Sequence, residues 1–219
     1  MTDVHLDAAL IGALHVAVVE AEEVTVREHD PAVWAEIEAL AARLRRAYEG
    51  AEPAEIEGLR PARELYRRTG VDPTKLRPSS EALLRRVLRG GALPRINSFV
   101  DATNLCSLDF LLPIGLHDLD RLKGDITLRL GETGEGYEAI GKAWYSVEGR
   151  LTASDAQGAC GSPTSDSRRT MITLETRRGL MLVYAPASYA PARLEAHAAV
   201  AAERIRRYLG GRIVQARVV

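Results

Sequence analysis

The sequence predicts an α+β fold. Helical periodicity dominates the first half of the chain, short strands fill the second, and one long amphipathic helix follows them near the end. The strict strand–helix alternation of a doubly wound sheet is missing, so a mainly antiparallel or mixed sheet with helices to one side is expected. Taken in order, residues 10–19 ("LIGALHVAVV") are β-branched and apolar and read as a buried strand, which "VTV" at 24–26 extends after a turn. Asp30 and Pro31 open a helix running to about Tyr48, the aspartate as cap and the proline at the first helical position. A second helix covers about Leu59 to Arg68. Ser79 or Ser80 caps a third, closed by Gly90 and Gly91. A central helix is expected over Arg95 to Leu112, between Pro94 and Pro113. Beyond it "GDITLRL" (124–130) alternates like a half-buried strand, and "KAWYSVEG", "RLTASDA" and "GAC" read as short strands. "GSPTSDSRR" (161–169) is a polar loop, "LMLVY" a buried strand, 191–209 a long helix, and "RIVQARVV" a tail or an added strand.

Bulk properties narrow the function. The chain has 219 residues, 46% of them hydrophobic and 27% charged, which suits one large or two small domains needing no metal or disulfide. Cys106 and Cys160 lie in unrelated contexts, which points to a reducing compartment and no structural zinc. The N-terminus lacks the basic start of a signal peptide, no apolar run spans a membrane, and a cytoplasmic protein is expected. No dinucleotide fingerprint opens a helix, and no cofactor is expected. A formal net charge of −1 gives no global sign of a nucleic-acid partner. The arginines are nonetheless grouped, at 43, 45 and 46, at 85, 86 and 89, and at 204, 206 and 207. Each group reads as a solvated helix face near a C-terminus, with a local phosphate-binding patch as the alternative.

The central segment, "RINSFVDATNLCSLDFLLPIGLHDLD" (95–120), carries the chemistry. Asn97, Asp101 and Asn104 form a polar stripe at helical spacing on a segment apolar around the rest of its girth. Two readings stand: the stripe caps the helix and bonds neighbouring loops, or it walls a pocket with the "PIGLHDLD" turn folded over one end. His117, beside Asp118, belongs with the second reading.

"INSFVDATNL…LPIGLHDLDRLKGDITLR" resembles the editing (B3/B4) domain of the phenylalanyl-tRNA synthetase beta subunit. The shared elements are Val100-Asp101-Ala102-Thr103-Asn104, the proline turn from Pro113 to the acidic Asp118 and Asp120, and Gly124 to Arg129. "RRTGVDPTKLRPSSEALLRRVL" and "DSRRTMITLETRRGL" are similar to free-standing members of that family. The resemblance is specific over about 35 residues and weaker over about 59–209. It implies a three-layer α+β module over 1–219, with the strand–helix segment 5–50 packed on that core. It also implies tRNA or aminoacyl-tRNA as partner, with no DNA specificity; the oligomeric state is left open. The family's synthetase members hydrolyse tyrosine wrongly attached to the phenylalanine tRNA. Thr103 and Asn104 match the threonine and asparagine of their editing pocket. Where the synthetase pattern has a histidine two places after the turn proline, this chain has Gly115. His117 stands two residues later, where the family often carries an aromatic. No ATP-binding elements of a complete ligase are present.

An aminoacyl ester is labile, so its hydrolysis needs little beyond orientation and a polarised carbonyl. Thr103, Asn104 and His117 are the candidate catalytic residues. Asn97, Asp101, Gly115 and Asp118 are candidate substrate contacts. The 158–165 loop, with Ser162 and Thr164, offers backbone N–H donors, and Asp166, Arg168 and Arg169 follow it, Arg168 as a bidentate ligand for phosphate or carboxylate. The alternative for this loop is an exposed turn with a local Asp–Arg pair. No Ser-His-Asp order or nucleophile elbow is visible, so no covalent mechanism is expected. The expected function is therefore hydrolysis of mischarged aminoacyl-tRNA in trans. The alternative is a non-catalytic binder of RNA or an amino-acid-like ligand that kept the fold without the chemistry.

Overall fold

A computed structural model describes all 219 residues. The strands are β1 (Val4–Leu6), β2 (Leu14–Glu22), β3 (Ile114–Asp118), β4 (Ile126–Leu130), β5 (Gly136–Tyr137), β6 (Tyr145–Ser146), β7 (Leu151–Asp155), β8 (Gly158–Gly161), β9 (Arg178–Pro186) and β10 (Arg212–Val218). The helices are α1 (Pro31–Ala47), α2 (Arg60–Arg68), α3 (Ser79–Leu88), α4 (Ser98–Phe110) and α5 (Pro191–Leu209). One sheet has the order β10-β2-β9-β3 and is antiparallel throughout. The other has the order β1-β4-β7-β8, with β1 parallel to β4 and the rest antiparallel. The α+β class and the mixed and antiparallel sheets are those the sequence predicted.

The β10-β2-β9-β3 sheet is the middle of three layers, because both of its faces are apolar. Ala17, Val19, Ala21, Met181, Val183, Ile114 and Leu116 face the helices and join one core with residues of α1, α3, α4 and α5. The alternate residues Val16, Val18, Leu180, Leu182 and Tyr184 face the second sheet and join another core with Ile126, Leu128, Leu151 and Cys160. Period-two alternation of a strand apolar at every position dictates this two-sided burial. β2 and β9 pair over nine residues each, from Leu14↔Pro186 to Glu22↔Arg178. β10, the expected tail or strand, adds to the free side of β2.

The expected boundaries shift for local reasons. The strand expected over 10–19 is β2 and starts at Leu14, because Leu10 ends a 3-10 turn and Gly12 turns the chain at φ 76°. "VTV" does not extend it: Glu23 takes a left-handed φ of 59°, after which Val24 and Thr25 bond Arg177 O and Leu209 O. Asp30 caps α1 through the amides of Ala32 and Val33. Ser79 and Ser80 cap nothing; their hydroxyls donate instead to Pro163 O and Leu111 O. α4 begins three residues later than expected because Asn97 caps it, accepting from the amides of Phe99 and Val100. It ends with Leu111 in the left-handed region at φ 58°.

Asp101 explains how a carboxylate survives inside this layer. It is 1% exposed, and its oxygens accept from Trp34 Nε1 at 2.7 Å and Ile96 N at 3.2 Å. Burial nonetheless pushes its pKa up, against those two hydrogen bonds. The pair fixes α1 to the entry of α4. Replacing Asp101 with Ala strands an indole N–H, and about 1–3 kcal/mol of stability should be lost. Urea unfolding checks this; an unchanged midpoint would show that the Trp34 contact contributes nothing.

Candidate functional site

β3 is an edge strand, so half of its backbone groups need partners outside the sheet. The 161–170 loop supplies them. Leu116 N donates to Asp166 Oδ1 at 3.4 Å and Asp118 N donates to Thr170 O at 2.8 Å. The loop is itself tied down. Tyr66 Oη and Ser79 Oγ both donate to Pro163 O, Thr164 Oγ1 donates to Tyr66 Oη, and Tyr137 Oη donates to Ser165 O. Ser162 Oγ accepts from the amides of Thr164 and Ser165.

Behind this edge lies a group of buried polar side chains in the inner core. His117 is 0% exposed, and its Nδ1 is 3.0 Å from Thr170 Oγ1. The Thr170 hydroxyl donates its own proton to Cys160 O at 3.0 Å, so it must accept from His117. That fixes the tautomer: Nδ1 carries the proton and Nε2 presents its lone pair. Nε2 has no partner, and neither does the equally buried Tyr184 Oη. Both atoms converge on residue 115. A Cβ there would lie 3.1 Å from Tyr184 Oη and 3.6 Å from His117 Nε2. Gly161 makes room for the ring from the other side, since its Cβ would come within 2.5 Å of His117 Cε1.

Electrostatics separates the groups. Burial, assisted by the Arg169 charge, holds His117 neutral down to about 4. Desolvation raises the Asp166 carboxyl to about 7, with the Leu116 amide pulling the other way. The Tyr184 phenol is pushed well above its usual range by burial and by Asp166. A carboxyl that titrates near neutrality and an imidazole that stays neutral, on the loop and the strand it closes, are groups suited to proton transfer.

The remaining predicted residues divide. Thr103 and Asn104 lie on α4, on the helical side of the middle sheet, whereas Gly115, His117 and Tyr184 face the other way. A sheet stands between the two sets, so they do not form one constellation. The stripe of Asn97 and Asp101 is a cap and a helix–helix bond, and Thr103 Oγ1 donates to Phe99 O of its own helix. Asp118 accepts from Thr176 Oγ1 and from Asp120 N, closing a turn. The alternative of a local Asp–Arg pair within this loop is not seen: Asp166 accepts from Leu116 N, and Arg168 is exposed and 3.7 Å from Glu138. Arg169, not Arg168, makes the bidentate pair, and makes it internally with Asp155, both contacts at 2.8 Å. Asp3, His5 and Asp125 could bring three metal-ligand atoms within 4.8 Å of one another, on the exposed surface. No helix is long and apolar enough to cross a membrane.

The family description B3/4 domain matches residues 61–208. The chain belongs to the B3/4 domain family. Its fold is similar to an N-terminal fragment of the phenylalanyl-tRNA synthetase beta subunit from Pyrococcus horikoshii, at 14% identity and a TM-score of 0.50. That likeness covers 97% of this chain and spans half the length of the fragment. No curated protein matches. In this B3/4 chain, β2 at the centre of the middle sheet comes from residues that precede the family match.

Thr170, Tyr184 and Gly161 were not singled out from the sequence. Tyr184 was detectable in principle, as the one polar-tipped residue in the inward register of "LMLVY". The two shifted pKa values act on stability with opposite signs. A depressed histidine makes stability rise with pH between 4 and about 6.5, and a raised carboxyl makes it fall between about 4 and 7. Over that window the melting temperature should rise more steeply with pH in Asp166→Asn than in the unaltered protein, and less steeply in His117→Gln. Parallel curves for all three would mean that neither group is perturbed.

Proposed function

We propose that this chain is a tRNA-synthetase-related module that hydrolyses the ester of aminoacyl-tRNA, with the reacting ester placed beside Gly115. The carrying observation is the convergence of two unpartnered buried groups, His117 Nε2 and Tyr184 Oη, on that residue. An acceptor and a donor so placed can orient a water and polarise a carbonyl. Asp166, titrating near neutral pH, is the group suited to take and return the proton. His117, neutral at that pH, orients rather than ionises. The position also bears on the departure from the synthetase pattern. Residues 115 and 117 share one face of β3, and the His117 ring leans back toward residue 115. Moving the histidine by two places therefore returns an imidazole nitrogen close to the same point.

A second reading rests on the enclosure of both atoms, each with almost no accessible surface. A protein that binds tRNA or an amino-acid-like ligand without turning it over would leave them closed. The deciding experiment is a deacylation assay against charged and mischarged tRNAs, tyrosine on the phenylalanine tRNA among them. The hydrolytic reading expects ester loss above the spontaneous rate, reduced about a hundredfold or more in Asp166→Asn. Thr103→Ala and Asn104→Ala, across the sheet, should change the rate by no more than about twofold. Ester loss at the spontaneous rate with tRNA still bound would establish the second reading.

Tyr184→Phe separates function from structure. Removing a buried hydroxyl that has no partner should leave stability unchanged or raise it by about 1 kcal/mol, while deacylation falls. A variant both less stable and fully active would show that the hydroxyl serves only packing.

A further inference from the structure

A second polar cleft lies away from β3, between α2, α3 and the linker that joins them. Its volume is about 260 Å³. Its walls hold Arg63 and Arg67 of α2, Thr74 and Arg77 of the linker, and Glu81 and Arg85 of α3. Four guanidinium groups therefore face one carboxylate.

The carboxylate acts as a frame. Glu81 is 2% exposed and accepts from Arg63 Nε at 2.7 Å, Arg63 Nη2 at 2.8 Å and Arg85 Nε at 2.8 Å. Arg63 directs its remaining donors to Pro53 O and Ala54 O. It is thus committed to the fold. The other three arginines are not. Arg85 uses only Nε, Arg77 approaches Glu81 no closer than 3.7 Å, and Arg67 makes no hydrogen bond or ion pair. A guanidinium carries five N–H donors in a planar fork, so three largely unused forks border one cavity. Nearby Asp72 is turned to the amide and hydroxyl of Thr74. An ordinary solvated face scatters its arginines or pairs them along a helix. Here a buried carboxylate gathers them from three segments and orients one of the free forks.

We propose that this cleft binds a phosphate group, through Arg67, Arg77 and Arg85, with Arg63 and Glu81 holding the frame. Planar forks match phosphate oxygens bidentately, and a cavity of this size admits a phosphodiester segment of RNA or a small phosphorylated compound. The site goes beyond the proposed ester hydrolysis and does not depend on it.

The test is binding of pyrophosphate and, separately, of a short single-stranded RNA, by calorimetry across a salt series. The double variant Arg67→Ala/Arg77→Ala keeps every hydrogen bond to Glu81, losing only the 3.7 Å ion pair of Arg77, and Arg46→Ala on α1 is the control. The double variant should weaken binding about tenfold or more, lower the RNA salt slope by roughly one for each phosphate no longer neutralised, and keep the circular-dichroism melt unchanged. RNA binding sensitive to these changes identifies the phosphodiester source. Pyrophosphate binding alone identifies a small phosphorylated ligand. Failure of the unaltered protein to bind either, or equal binding by the double variant, overturns the proposal. Deacylation of tRNA measured on the same variants separates this outcome from that of the ester site.

Discussion

The closure of the β3 edge by the 161–170 loop is the constraint on which the site depends. An edge strand in the middle layer of a three-layer protein cannot leave its amides without partners. Here Asp166 and Thr170 take the Leu116 and Asp118 amides, and Thr170 then meets the inner face of the strand at His117. Thr170 also joins Cys160 O to His117, so one hydroxyl links β8 to β3 and sets the imidazole tautomer. Structural closure and the placement of an unpartnered imidazole nitrogen are one set of bonds.

Two costs are visible in the same place. His117 Nε2 and Tyr184 Oη are buried without partners, and the Asp166 carboxyl is raised to about 7 by desolvation. Folding alone would favour Phe at 184 and an amide at 166. Elsewhere most buried polar groups are paired, Asp101 with Trp34, Asp118 with Thr176, Asp155 with Arg169, Glu81 with Arg63 and Arg85, while one oxygen of Glu20 and the Ser154 hydroxyl are also without hydrogen-bond partners. What sets the β3 group apart is that two unpartnered atoms on different side chains converge on one residue, the kind of polarity a binding or catalytic role leaves in a structure.

The sequence revealed the fold class and most elements because their signals are local. The Asp30–Pro31 cap, the periodicity of 191–209 and the apolar run of β9 each act within a few residues. The site was less legible. His117, Gly115 and Asp166 could be picked out as unusual residues, but their grouping depends on which face of the middle sheet each one occupies. Helical spacing groups Asn97, Asp101 and Asn104 as one stripe and leaves a cap with neighbouring bonds or a pocket wall both open, and only tertiary partners decide, making the first two a cap and a helix clamp. Thr170 escaped notice because its role comes from Cys160, ten residues away on another strand. The arginine groups show the same limit. Arg85 reads as one of a helix-end triplet, yet its neighbours in space are Arg63, Arg67 and Arg77.

The central claim is that His117 is held as a neutral ring, proton on Nδ1, with its Nε2 lone pair directed at residue 115. Nitrogen NMR of the histidine-labelled protein across pH tests this directly. His117 should show a protonated Nδ1 and a bare Nε2 at neutral pH, persisting until the pH falls to about 4. Thr170→Val should release the tautomer. A proton found on Nε2, or titration at the ordinary histidine value near 6.5, would contradict the claim.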